Sequence, residues 1–216
     1  MDNDGNFIVT WISRGQDGSN DGVYAQRYNA LREPQGGEFL VTVTTTGSQD
    51  FPSVAIGDNG DFIIAWEGQG GVNGYTAAFA RRFNADGTPQ GSEFQVNTTD
   101  TLTTSITFVG VDVDIAANGN FVICWTNGDG GGISGIFARV YNSTGVAQTA
   151  DLAINTTTAE NQWNPKVALN SVGDFVIAWQ SYLQDGTAGS IQARRYNAAG
   201  TPQSGEFLVN TYTAAH

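Results

Sequence analysis

The residues best placed by type and spacing to do chemistry are acids. Asp112 and Asp114 alternate along the apolar run Val111 to Ile115, so both carboxylates leave the same face of a strand. Related segments elsewhere in the chain carry Ser53 and Ala55, or Lys166 and Ala168, at those places. Two carboxylates on one strand face could hold a cation, or they could line a wet channel wall. A second set lies in loops: Gln16-Asp17-Gly18-Ser19-Asn20-Asp21, Asn127-Gly128-Asp129-Gly130 and Gln184-Asp185-Gly186. Calcium takes hard oxygen ligands from such Asp/Asn/Gly loops, which names Asp17 and Asp21 as further metal candidates. These loops lack the D-x-[DN]-x-[DN]-G spacing with a terminal Glu, and ordinary turn chemistry accounts for them equally well. Trp163, in Asn161-Gln162-Trp163-Asn164-Pro165, reads as a linker residue that either stacks on a sugar ring or plugs a gap between neighbouring sheets.

A catalytic constellation is harder to find. Cys124 occupies the place held by Thr10, Ala65 and Ala178 in related segments, so it reads as a small buried filler. The single histidine is His216, the last residue, where a vector-derived remnant would lie. Acid–base work would therefore fall to carboxylates alone, and no glycosidase-type pair stands out among them. No G-x-S-x-G, no phosphate loop and no His/Cys metal cluster occurs. Arg27, Arg82 and Arg195 recur at one repeat position, which marks a structural role. The expectation is a protein that is not an enzyme.

These residues are positioned by a repeat. A glycine turn followed by an apolar run ending in Trp occurs four times: DGNFIVTW from Asp4, NGDFIIAW from Asn59, NGNFVICW from Asn118 and VGDFVIAW from Val172. The tryptophans, 11, 66, 125 and 179, keep a step of about 55 residues, a period that indicates propeller blades or stacked arrays. A second landmark keeps the same step: AQRYN from Ala25, ARRFN from Ala80, ARVYN from Ala138 and ARRYN from Ala193. In the second copy, Pro52 to Ile56 reads as strand A, Asp61 to Glu67 as B, Tyr75 to Asn84 as C and Glu93 to Asn97 as D, with tight glycine turns between. Strand B is apolar on both faces, which requires a neighbouring sheet on each side. Glu93 is placed to pair with an arginine of strand C in its own hairpin.

The expected fold is all-β, a β-propeller of four four-stranded antiparallel blades (residues 2–46, 51–98, 108–157 and 163–213) in one domain of 1–216. The first blade lacks its inner strand; an open or elongated array of the same sheets is the alternative. An unfilled strand position invites pairing with another chain. Met1 stands directly before a repeat already in progress, which reads as a fragment or processed module.

Composition narrows the partners. The chain of 216 residues has a formal net charge of −12 with only 14 % charged residues, a balance that disfavours the phosphate backbone of nucleic acid. No apolar run reaches the length of a membrane helix, and one cysteine excludes an intrachain disulfide.

The stretch FVIAWQS, QDG and ARRYNAAGTPQSGEFLVNTYT, from Phe175 to Thr213, resembles the tandem repeats of very large bacterial surface or secreted proteins, which often also carry RTX-type calcium-binding nonapeptides or adhesin-like domains. The resemblance runs over essentially the whole chain, Asp2 to Thr213. It implies an extracellular or cell-surface module for structure or adhesion, with no catalytic residues to carry over. The expected partners are further copies of the chain, as an oligomer or polymer; calcium is the one cofactor to consider. The alternative is a lectin-like or calcium-binding propeller.

Overall fold

The computed structural model describes residues 1–71, 76–98, 110–128, 134–182, 184 and 189–211. Asp129, Asp185, Gly186 and His216 lie outside them. Among the described residues all regular structure is strand. Blade one has β1 (Phe7–Arg14), β2 (Asp21–Tyr28) and β3 (Phe39–Leu40). Blade two has β4 (Gln49–Ile56), β5 (Phe62–Gly68), β6 (Ala77–Phe83) and β7 (Phe94–Gln95). Blade three has β8 (Val111–Ile115), β9 (Phe121–Gly128), β10 (Ser134–Tyr141) and β11 (Leu152–Ala153). Blade four has β12 (Gln162–Leu169), β13 (Phe175–Ser181), β14 (Ser190–Tyr196) and β15 (Phe207–Leu208). Each blade is an antiparallel meander in chain order, three-stranded in blade one and four-stranded in the others. The molecule is an all-β propeller.

The turns follow from local chemistry. Gly60 has φ +82°, closes the β4–β5 turn onto the Gly57 carbonyl at 2.9 Å, and lies so close to the β6–β7 turn that a Cβ would meet the Ala85 Cβ at 2.9 Å. Only glycine meets both demands. Outer strands are shorter than the sequence suggests: β7 has two residues where five were expected, and beyond it the Val96 N–H donates to the Ala78 carbonyl at 2.7 Å while the Asn97 side-chain oxygen, in place of a backbone carbonyl, accepts from the Ala78 N–H at 3.0 Å.

The two faces of each blade differ, and this difference builds the core. One face carries an aromatic stack: Phe62 on Phe83 at 4.9 Å, Phe121 on Tyr141 at 4.8 Å and Phe175 on Tyr196 at 4.9 Å, each beside the repeat tryptophan. The other face is lined by small and branched residues such as Ile63, Ala65, Ala78 and Ala80. The small face of each blade packs on the aromatic face of the next. Val23, Ala25 and Val41 of blade one cover Phe62, Ile64 and Trp66 of blade two. Blade two covers Phe121, Ile123 and Trp125 of blade three in the same way. Blade three, with Val122, Cys124 and Ala138, covers Phe175, Ile177 and Trp179 of blade four. Cys124 is fully buried in that last contact, and burial pushes its thiol well above the ordinary range, as a filler requires.

Candidate functional site

The inner strands carry a shared distortion. Phe51, Gly110 and Asn164 occupy equivalent places just before Pro52, Val111 and Pro165, and all three are left-handed, with φ of 51°, 56° and 53°. The β4–β5 register shifts between Asp50 and Ser53, and the β12–β13 register between Trp163 and Lys166. Strand A therefore begins before its proline and bends there, where a Pro-only start was expected. For Phe51 and Asn164 the left-handed backbone costs on the order of 1–3 kcal/mol, which the surrounding ladder must hold.

Asp112 and Asp114 do face the neighbouring inner strands. Asp112 Oδ1 accepts from Ser53 Oγ of β4 at 2.7 Å and from Lys166 Nζ of β12 at 3.0 Å, while its Oδ2 accepts from the Val167 N–H at 3.0 Å. Asp114 Oδ2 accepts from the Leu169 N–H at 2.7 Å. The two carboxylates thus satisfy successive edge N–H groups of β12 and tie three inner strands together. Asp17 and Asp21 lie elsewhere, around the β1–β2 connection. Asp17 Oδ1 accepts from the Ser19 N–H at 2.9 Å, an Asx turn, and Asp21 stands opposite Arg14 in the β1–β2 ladder. Burial first, and then the Asp21 carboxylate, push the Asp50 carboxyl above the ordinary range. Among the described residues no three His, Cys, Asp or Glu side chains converge on one point.

Trp163 belongs to β12 rather than to a linker. Its ring lies 6.3 Å from that of Tyr182, tilted by 33°, and Tyr182 is 37 % exposed. Asn164 Nδ2 donates to Gln180 Oε1 at 2.7 Å alongside. The result is a small aromatic surface with amide groups at its margin.

The acid that opens each outer strand acts differently from the expectation. Glu93 does not pair within its hairpin; its carboxylate accepts from the Val43 and Thr44 N–H groups of blade one at 2.6 and 3.0 Å. Asp151 accepts from the Thr98 N–H of blade two at 2.9 Å. Glu206 accepts from the Thr156 and Thr157 N–H groups of blade three. The recurring Glu-Phe signal was visible in the sequence, but its partner lies about 50 residues away in the preceding blade, which intrablade patterning cannot reveal. The strand-C arginines complete the clamp. Arg27 Nη1 donates to the Ala85 carbonyl of blade two at 2.6 Å, and Arg82 donates to the Ser143 and Thr144 carbonyls of blade three at 2.6 and 2.7 Å. One side of the groove between blades two and three opens into a cavity of ≈ 390 Å³ bordered by Asp61, Arg82, Gln90 and Ser143.

Burial alone would raise the Glu206 carboxyl, but hydrogen bonds from Thr156, Gln184 and Thr157 outweigh it and hold the group below its ordinary value of 4.5. A depressed carboxyl stabilises the fold above its unfolded-state value, and that contribution is lost as pH falls through the folded one. Glu206→Gln is therefore expected to be less stable than the parent at neutral pH. The difference narrows as pH falls below about 4.5; denaturant midpoints measured across pH 3–7 check this.

No protein-family model matches the chain, and no curated protein matches its sequence. Several solved structures resemble it in fold. A protein of unknown function from Dyadobacter fermentans superposes with a TM-score of 0.62 at 10 % identity, over 96 % of this chain and 66 % of that one. The Hadza microbial sialidase Hz136 gives 0.60 at 13 % identity, over 94 % and 44 %. An endo-arabinase from Bacteroides thetaiotaomicron gives 0.52 at 13 %, over 98 % and 74 %. The chain spans less than two thirds of the length of the first two, and at such identities the likeness is one of fold alone.

Proposed function

We propose that this chain is a non-enzymatic structural or adhesion module of an extracellular or cell-surface protein, and that it works by associating through its exposed sheet faces. The observation that carries the reading is the pair of end faces. Val9 of blade one is 44 % exposed, whereas its equivalents Ile64, Ile123 and Ile177 are fully buried. Phe207, Leu208 and Val209 of blade four are 42 %, 43 % and 50 % exposed. Apolar surface of this kind marks interaction sites. The acidic, charge-poor composition and the resemblance to repeats of large bacterial surface proteins support an extracellular setting. Light scattering from sub-micromolar to high-micromolar protein tests the association: the mass is expected to rise above the 22.9 kDa monomer with concentration.

A second reading, glycan binding, is favoured by the Trp163–Tyr182 surface with Asn164 and Gln180 at its edge. It predicts saturable binding to a glycan panel that Trp163→Ala removes while the melting transition persists. A chain that stays monomeric and binds glycans in this way would replace the first reading with the second.

A further inference from the structure

The three internal blade contacts follow one rule, and each end of the molecule holds one half of a fourth. In every contact the small face of one blade meets the aromatic face of the next. Polar latches accompany it. The strand-C arginine of the leading blade reaches the strand C–D turn carbonyls of the next at the first two contacts. The outer-strand acid of the following blade accepts N–H groups of the leading blade's exit segment at all three. An aromatic or arginine side chain of the following blade reaches back to a carbonyl of the leading blade's outer strand: Arg81 to Val41 at 2.9 Å, Tyr141 to Val96 at 3.5 Å, and Arg194 and Tyr196 to Ile154 at 2.9 and 3.2 Å.

Blade four presents the leading half uncovered among the described residues. Val176, Ile191, Phe207 and Val209 take the places of Ile63, Ala78, Phe94 and Val96, which face blade three inside the molecule. Arg195, the counterpart of Arg27 and Arg82, is exposed, and its guanidinium has no hydrogen-bond partner among the described residues. Blade one presents the following half uncovered among the described residues. Phe7 stacks on Tyr28 at 5.1 Å and Trp11 on Tyr24 at 6.5 Å, the same aromatic face as in the other blades, but partly uncovered. Glu38, the counterpart of Glu93 and Glu206, is exposed; among the described residues it accepts from Gln16 Nε2 alone, at 2.8 Å, as Glu206 does from Gln184 at 2.8 Å besides its clamp. The Ala30 carbonyl stands where the Ala85 and Ser143 carbonyls receive their arginines.

We infer that the small face of blade four docks on the aromatic face of blade one of a second copy of this chain, with Arg195 donating to the Ala30 turn and Glu38 accepting from the Thr211 N–H. The inference rests on the self-association reading and names its surfaces. Because the two halves differ, the contact is heterologous: it joins copies head to tail and propagates unless the rotation between them closes a ring. It extends an interface already made three times inside the molecule, so the same side-chain shapes and the same latches are reused. Blade one departs from the rule at one place, where Gln26 replaces the arginine found at 81, 139 and 194; it donates instead to the Gly36 carbonyl at 3.1 Å. The intermolecular contact therefore lacks one latch that all three internal ones possess, and is correspondingly weaker.

The test uses two single variants at exposed sites, Val9→Asp on the aromatic face and Val209→Asp on the small face, with light scattering and analytical ultracentrifugation. Each variant alone is expected to be monomeric at concentrations where the parent associates, with affinity at least tenfold weaker. Each keeps one intact half, so a one-to-one mixture is expected to form a dimer that grows no further. Circular dichroism and thermal melts confirm that both variants fold. Association that survives both substitutions would overturn the assignment of faces while leaving self-assembly standing. A mixture that stays monomeric would overturn the head-to-tail geometry. A parent chain that is monomeric throughout would overturn both the inference and the association reading, and would leave these faces to a different protein or to further repeats.

Discussion

Arg139→Met is expected to destabilise the fold by about 3–5 kcal/mol, the range for removing one member of a buried ion pair. Arg139 Nη2 lies 2.6 Å from Asp151 Oδ1, with side-chain exposures of 8 % and 6 %, and the same nitrogen donates to Thr98 Oγ1 at 2.6 Å. The guanidinium is the charge that makes it tolerable to hold Asp151 dry. Without it the carboxylate loses its facing cation and must either protonate or draw in water. The double variant Arg139→Met/Asp151→Leu is expected to recover part of the loss, since a buried pair can be exchanged for apolar volume at little cost. Recovery stays incomplete because Asp151 also accepts from the Thr98 N–H, which would then be left unpaired. Chemical denaturation of the three proteins measures both steps; a single variant within 1 kcal/mol of the parent would mean that the blade two–three clamp does not hold in solution.

Trp125→Ala is expected to cost about as much, roughly 3–5 kcal/mol, for a different reason: the loss of a large buried ring and the cavity it leaves. Trp125 is 1 % exposed, lies 6.4 Å from Phe137 and sits in the contact between blades two and three. The same substitution at Trp11 is expected to cost much less in the monomer, because that indole lies on the uncovered face of blade one. The pair of values separates what a tryptophan contributes inside a blade contact from what it contributes at an open one. Equal losses at the two sites, measured at a concentration where the chain is monomeric, would show that blade one is covered within the molecule.

The contrast between Trp11 and Trp125 marks the limit of what was legible beforehand. Their repeat positions are the same, and alternation along strand B correctly put Phe62, Ile64 and Trp66 on one face and Ile63 and Ala65 on the other. Glycine turns such as Gly57 to Gly60 were readable because a left-handed residue in a two-strand turn demands glycine. The burial of Cys124 followed from its neighbours in the repeat, all small. These are short-range properties, set by covalent geometry and by the two-residue period of a strand.

Other assignments turned on which blade lies against which. Glu93 was expected to meet an arginine in its own hairpin, yet it clamps the Val43 and Thr44 N–H groups of the preceding blade. Trp163 was placed in a linker, but a bend at Asn164-Pro165 keeps it in β12 against Tyr182. Asp112 and Asp114 were marked as acids on one strand face. Only the meeting of β4, β8 and β12 shows that their oxygens are engaged by Ser53, Lys166 and the N–H groups of Val167 and Leu169. By itself the sequence determined the repeat, the strands, their two unlike faces and the turns, because each depends on residues a few places apart. The tertiary structure decided which carboxylates are spent on neighbouring backbones and which faces remain open, because a hydrogen bond across blades depends on the position of partners about 50 residues away and leaves no periodic trace in the chain.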